Sequence, residues 1–234
     1  MDKPLGYLEL MGLFSKLLDS GASWVQKNSG TSITLGYIFF FNENEGISAG
    51  NNGTIKKTTD GGNTWSMKVQ LGSISLWQVC FVTPEKGFAV GEWGVILKTT
   101  DGGENWTQYF AGTTENLHAI CFITPEVGWI VGKDEQRLRT SNGGDSWIIE
   151  HTGNDYEYLQ VYFYDENIGW ILGTPGFWTG NPSVILFTDN GGLPIEPFIF
   201  EKTFGGVSSE MGVDLEITDD NGFIIGGSTS SFSN

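Results

Sequence analysis

Four carboxylates, Glu92, Asp134, Asp155 and Glu157, lie among aromatic residues and are the side chains that acid–base hydrolysis of a glycosidic bond would need. That chemistry requires an acid and a base roughly 5 to 9 Å apart, and nothing in the spacing of the four is diagnostic of such a pair. The two histidines, His118 and His151, are isolated, and no nucleophile elbow, phosphate-binding Gly-Lys loop or zinc constellation occurs. Glu43, Glu45, Glu85, Glu126, Asp165 and Glu166 could form a discontinuous acidic ring, but a calcium site takes roughly six to eight convergent oxygens. Because these carboxylates come from separate segments, they read as solvated. The chain therefore calls for no catalytic residue, no metal and no cofactor. Side chains suited to holding a partner are better represented: Trp77, Trp93, His118, Tyr156, Tyr158 and Trp178, interspersed with Glu92, Asp134, Asn154 and Glu157, combine rings with polar groups as a binding surface does.

Whether those residues meet depends on a repeat. Trp24, Trp65, Trp106 and Trp147 stand 41 residues apart; Phe40, Phe81, Phe122 and Phe163 keep the same step, as do two glycine series, Gly46 to Gly169 and Gly50 to Gly173. A period of that length signals stacked supersecondary units. Within the first unit, Tyr37 to Phe41 is uninterruptedly aromatic or branched and reads as the innermost strand, buried on both faces. Gly46 to Gly50 reads as a second strand; after an Asn51-Asn52-Gly53 turn, Thr54 to Thr59 and Trp65 to Gln70 read as the third and fourth. Four antiparallel strands per repeat is the arithmetic of a propeller blade. The fold class is all-β, a β-propeller of about five four-stranded blades over residues 23–234: 36–70, 77–111, 118–152, 159–199 and a partial one at 206–234. Trp24 holds a fourth-strand slot without strands of its own before it, which suits it to completing the partial blade.

The turn between third and fourth strands is the sharpest local signal. Thr58-x-Asp60-x-Gly62-x-Thr64-Trp65 recurs with Asp101, Gly103 and Trp106, and again with Asn142, Gly144 and Trp147. A short Asp or Asn side chain accepts backbone N–H bonds in a tight turn, glycine supplies positive φ, and the Trp brings a large apolar ring between blades. These positions are expected to be structural. The strings match the Asp-box, or bacterial neuraminidase repeat, and the wider pattern G-W-x-x-G-x-x-G-x-I-x-x-T-x-D-G-G-x-x-W over residues 36–147 resembles the propeller family of photosystem II assembly and stability factors. From Val184 onward, VILFTDNGG, EKTFGG and EITDDNGFIIGGSTSSF resemble another repeat of exported bacterial propellers, and the ending Ser231-Phe232-Ser233-Asn234 reads as that of a fragment.

The resemblance implies a non-enzymatic binding or scaffold module whose partner is a protein, with a glycan-binding or sialidase-like glycoside hydrolase as the alternative. Sialidases with Asp boxes grip the substrate carboxylate with three arginines, whereas this chain has only Arg137 and Arg139, both in one strand segment. The assembly role is associated with an arginine-rich patch, which two residues do not make. Both resemblances imply export.

Composition narrows the field further. A net charge of −16 argues against nucleic acid. No apolar run of 18 residues exists to span a membrane. Cys80 and Cys121 fill one packing slot of successive repeats, taken by Phe39 and Tyr162 in the other two, and are expected as buried free thiols. Residues 1–22 read as an N-terminal extension and a poor signal peptide. Leu10, Met11, Phe14, Leu17 and Leu18 follow helical spacing up to Gly21, predicting a short helix over 7–20. None of these features sets an oligomeric state. A seven-residue insertion, Gly176 to Pro182 with Phe177 and Trp178, departs from the repeat and points to a working face.

Overall fold

Gly46 to Gly50 carries a single branched residue, Ile47, among small ones, so this strand can be covered closely on both faces, and the chain places it second in a four-stranded meander. The computed structural model describes residues 9–10, 13–18, 23–150, 156–175, 183–191, 200–204, 210–217 and 223–229. They divide into two units, Met1–Thr114 and Glu115–Asn234.

Unit 1 opens with a three-stranded sheet of β1 (Glu9–Leu10), β2 (Leu13–Leu18) and β3 (Ser23–Asn28). Two complete blades follow. The first holds β4 (Leu35–Phe40), β5 (Gly46–Gly50), β6 (Thr54–Thr58) and β7 (Ser66–Val69); the second holds β8 (Leu76–Phe81), β9 (Gly87–Gly91), β10 (Val95–Thr99) and β11 (Thr107–Phe110). Unit 2 repeats the plan with β12 (Leu117–Phe122), β13 (Gly128–Gly132), β14 (Arg137–Thr140) and β15 (Ile148–Glu150), then β16 (Tyr156–Phe163), β17 (Gly169–Pro175), β18 (Ser183–Thr188) and β19 (Phe200–Phe204). A hairpin of β20 (Glu210–Ile217) and β21 (Phe223–Thr229) follows. All pairings are antiparallel between sequence neighbours, the meander of a β-propeller blade that the repeat predicts.

Three details differ from the sequence reading. In the first three blades the second strand, not the first, is buried at every position (β5, β9 and β13), as is the third strand β10, whereas Tyr37, Ile38 and Phe39 of β4 are half-buried. A second strand has hydrogen-bonded neighbours on both sides, while a first strand ends its sheet. The predicted helix over 7–20 is replaced by β1 and β2, and Trp24 is not an orphan, because β3 pairs with β2 at Leu17↔Trp24. Leu13, Phe14, Leu17 and Leu18 satisfy helical spacing by chance of composition, but β3 pairs with every residue from Leu13 to Leu18 and decides the outcome. The blade placed at 159–199 extends to Phe204, since β19 pairs with β18 through Glu201↔Leu186. Pro194 and Pro197, which cannot donate to a ladder, lie between the two strands.

Each unit has its own core. Ile47, Ala49 and Ile55 pack with Leu76, Val79, Ala89, Val95 and Leu97 across the two blades of unit 1, with Trp106 against them. In unit 2 the counterpart joins Ala119, Trp129 and Val131 to Tyr158, Val161, Ile171, Val184 and Leu186. Each fully buried Val, Leu or Ile among them contributes about 1.5 to 3 kcal/mol by leaving water. Cys80 and Cys121 are not joined in a disulfide; both are half-buried, and burial raises the Cys121 thiol above its ordinary range.

The Asp-box turns are built from their own side chains. Asp60 accepts hydrogen bonds from Thr58 Oγ1 (2.9 Å), the Thr64 backbone N–H (2.8 Å) and Thr64 Oγ1 (2.7 Å), while the Gly62 N–H donates to Thr58 Oγ1. Asp101 with Thr99 and Asn105 repeats this. Asn142 accepts from Thr140 Oγ1 and the Ser146 N–H without a charge, and its amide nitrogen donates to Ser146 Oγ. Thr188 and Asn190 form a fourth copy. Each turn docks on the first connection of its blade, with Gly61, Gly102, Gly143 and Gly191 donating to the carbonyls of Asn44, Glu85, Glu126 and Asn167. The tryptophans pack edge-to-face on the first-strand Phe of the same blade, at 6.0 Å for Phe40–Trp65 and Phe81–Trp106 and 5.9 Å for Phe122–Trp147.

Hydrogen bonds from Thr64 and Thr58 lower Asp60 to about 2, and those from Asn105 and Thr99 lower Asp101 to about 2. A carboxylate depressed in the folded state stabilises above its unfolded pKa and loses that contribution as pH falls through the folded one. The melting temperature is therefore expected to fall between about pH 4 and pH 2. Asp60→Asn with Asp101→Asn, the side chain already used at Asn142, should flatten that limb and lower the melt at pH 7 toward the parent's acid value, because a neutral amide gives up the charge-assisted bonds at every pH. An unaltered acid limb in thermal scans would count against this role.

Candidate functional site: the bulge and corner end of the blades

At the end of the blades away from the Asp boxes, two backbone irregularities recur in register. The first strands bulge where pairing passes from Leu35 to Tyr37, Leu76 to Gln78, Leu117 to Ala119 and Tyr158 to Gln160. The extra residues are therefore Gly36, Trp77, His118 and Leu159. A bulge re-aims the side chain it carries, so one backbone device presents four different groups. The corner between second and third strands then takes positive φ, at Asn52 (59°) and Gly53, at Trp93 (58°) and Gly94, and at Asp134 (50°) and Glu135 (56°).

In unit 1 the corners are tied to the connections beside them. Asn51 N–H donates to the Thr34 carbonyl and Glu92 N–H to that of Ser75, while Gly53 N–H donates to the Ile74 carbonyl. Glu92 returns a contact by accepting the Ser75 N–H at 2.8 Å. Leu76 pairs with Gly91, so Trp77 lies one residue and Trp93 two residues from the same pair. Trp77 is half-buried; Trp93 is 67% exposed. Asparagine is an ordinary occupant of positive φ, but a bulky aromatic is not. Trp93 costs about 1 kcal/mol there relative to a residue that tolerates the geometry.

Unit 2 brings three of the sequence candidates together. His118 Nδ1 lies 2.9 Å from the Tyr158 carbonyl, to which it donates, and Nε2 lies 3.3 Å from Glu157 Oε1. Burial lowers the imidazole below its ordinary value; the Tyr158 carbonyl and Glu157 oppose this, and Lys133 reinforces it. Lys133 Nζ sits 3.5 Å from Glu115 and 4.0 Å from Asp134. Tyr158 contributes its carbonyl rather than its ring, which is 1% exposed and belongs to the core. Tyr156 is half-buried, and its carbonyl accepts the Glu135 N–H at 2.8 Å. Asn154, Asp155, His151, Phe177 and Trp178 lie outside the described residues.

The described carboxylates proposed for acid–base work are already engaged: Glu92 holds a backbone N–H, Asp134 lies beside Lys133, and Glu157 faces His118. Among the described residues no three His, Cys, Asp or Glu side chains converge as metal ligands. Asp165 of the acidic connections accepts the N–H groups of Ile168 and Asn167, which lower its carboxyl below the usual range. Arg137 is buried and pairs in register with Glu150, and the Arg139 guanidinium lies 5.8 Å from the Trp129 ring. Both arginines are thus built into a blade. The sequence signal for the corner was the x-Gly pair ending each second strand; the bulge left none, because a one-residue insertion kept in every repeat does not disturb the period.

The family model described as photosynthesis system II assembly factor YCF48 matches residues 17–110, 68–148 and 110–211. No curated protein matches the chain. Among solved structures, YCF48 bound to D1 peptide superposes with a TM-score of 0.64 at 16% identity, over 95% of this chain and 66% of that one. YCF48 from Cyanidioschyzon merolae gives 0.66 at 16% identity, over 92% and 71% respectively. An ancestral GH74 enzyme gives 0.62 at 12% identity, over 86% of this chain and 31% of its own. The chain thus spans just under two thirds of the first of these structures. Among the described residues no helix is long and apolar enough to cross a membrane. The three family matches together run from residue 17 to residue 211, and on that extent the chain belongs to the YCF48 photosystem II assembly factor family.

Proposed function

We propose that the chain is a non-enzymatic scaffold that holds a protein partner on the bulge and corner end of its blades. The observation that carries this reading is Trp93, a large ring 67% exposed on strained backbone where the first blade has Asn52. Strain kept at an exposed aromatic points to a use for that ring. Support comes from the D1 peptide carried by a fold neighbour, which makes a peptide segment the class of ligand to test, and from the engagement of Glu92, Asp134 and Glu157. Work outside the cytosol belongs to the same proposal and rests on the repeat types.

The test is to present the full chain with an immobilised peptide panel, a glycan array and aryl glycosides. Peptide retention without turnover is expected. Turnover abolished by a single substitution such as Glu157→Gln would overturn the scaffold reading, and retention of glycans alone would replace the protein partner with a sugar.

A further inference from the structure

The seam between the two blades of unit 1 shows what the cation of one repeat slot holds. Lys57 of β6 donates to the Glu104 carboxylate at 2.7 Å and to the Gly102 carbonyl at 2.9 Å, both in the Asp-box turn of the next blade, and Lys68 donates to the other Glu104 oxygen at 2.6 Å. Lys57, Lys98 and Arg139 stand 41 residues apart, and Asn63, Glu104 and Asp145 keep the same step. Past the insertion, counting on from Thr188 and Asn190, the corresponding turn residue is Leu193. The repeat therefore gives Arg139 no acid where Lys57 has Glu104.

Arg139 is nonetheless held as a carboxylate receptor would be. Its guanidinium lies 5.8 Å from the ring of Trp129, its register partner across the β13–β14 ladder, and that ring stacks on Phe163 of the next blade at 6.2 Å. Trp129 is 3% exposed, and among the described residues neither its N–H nor the buried Nε–H of Arg139 has an acceptor. The carboxylate of β15, Glu150, stands in register with Arg137 instead; burial raises it above the usual range, which Arg137 and Arg139 oppose. The seam is open at this point. Ile148 pairs with Arg139, shares its face of the sheet and is 63% exposed. An arginine fork grips a carboxylate with two parallel bonds, and an indole against it fixes the plane of the fork.

We propose that this seam of unit 2, beside the Asp-box turn, takes a side-chain carboxylate from an acidic segment of a partner protein, gripped by the Arg139 fork over the Trp129 ring. The site is separate from the bulge and corner end, so its failure leaves the reading above untouched.

Calorimetry of the full chain with two synthetic octapeptides tests it, one alternating glutamate and serine with an amidated end, the other glycine and serine with a free end. Moderate salt screens the net charge of −16. The glutamate peptide should bind and the glycine peptide should not. Arg139→Lys keeps the charge and loses the fork, so it should weaken binding about tenfold. Ile148→Glu sets a carboxylate opposite Arg139 at an exposed position, and should abolish binding without lowering the melting temperature. Glutamate-peptide binding unchanged in both variants would reduce the effect to an adventitious contact and overturn the proposal, as would no binding of that peptide. Binding of the glycine peptide alone would move the carboxylate to a chain terminus and overturn the acidic segment.

Discussion

Gly91→Ala should destabilise the protein by about 3 kcal/mol or more, at the upper end of what overpacking a close-packed interior costs. A methyl on Gly91 would lie 2.1 Å from the Ser75 carbonyl oxygen and 3.0 Å from Leu76 Cα. Both are backbone atoms, one at the start of β8 and one just before it, and cannot rotate away. The same Ser75 carbonyl accepts the Glu92 N–H, so relieving the clash breaks the contact that seats the corner. Gly50 and Gly132 face the carbonyls of Thr34 and Asn116 at 2.2 and 2.0 Å, so the constraint recurs in every described copy of this slot but the last, Gly173, which meets side chains first. A chemical-denaturation midpoint for Gly91→Ala within error of the parent would show that the strands can part at little cost.

Phe88→Ala should cost about 3 to 5 kcal/mol, the usual range for emptying a fully buried aromatic site. Phe88 is 0% exposed on the most deeply covered strand of its blade and pairs with Lys98 across the sheet. The Lys98 ammonium, itself buried, lies 5.7 Å from the Phe88 ring centroid. Removing the ring therefore leaves a void and withdraws a π-face from a cation that has little water around it. Phe88→Leu refills much of the volume and should recover more than half of the loss in the same denaturation experiment. Full recovery with leucine would assign the whole effect to packing and none to the cation.

The parts of this molecule legible in its sequence are those fixed by contacts within one repeat. Asp60, Asp101 and Asn142 make their bonds to residues four positions on, and Phe40, Phe81 and Phe122 meet their tryptophans inside one blade, so the period alone identifies them. The Asn190 turn has the same geometry but follows the insertion, and its departure from the period hid it. Hydrophobicity in the sequence marks the first strand, while coverage depends on having strands on both sides. The N-terminal segment follows the same logic: Leu13 to Leu18 can serve a helix or a strand, and only the partner β3 chooses.

The candidate site was legible in its residue types and not in its arrangement. His118 and Glu157 were both singled out, but their contact depends on the bulge in β12. Glu92 was a candidate acid; the turn that makes it a backbone acceptor appears only with the pairing of Leu76 and Gly91. Tyr158 is a ring by type and a carbonyl by use. Positions that keep the repeat build blades, and positions that leave it, Trp77, Trp93 and His118, occupy slots where the backbone is shared and the side chain is free to differ.

The most direct test of that division is the affinity of Trp93→Asn for peptides that the parent chain retains, measured on samples whose melting curves are recorded alongside. Removing an aromatic from positive φ predicts a melting temperature equal to or above that of the parent, with affinity lower by about tenfold or more. Unchanged affinity in a fully folded variant would contradict the account.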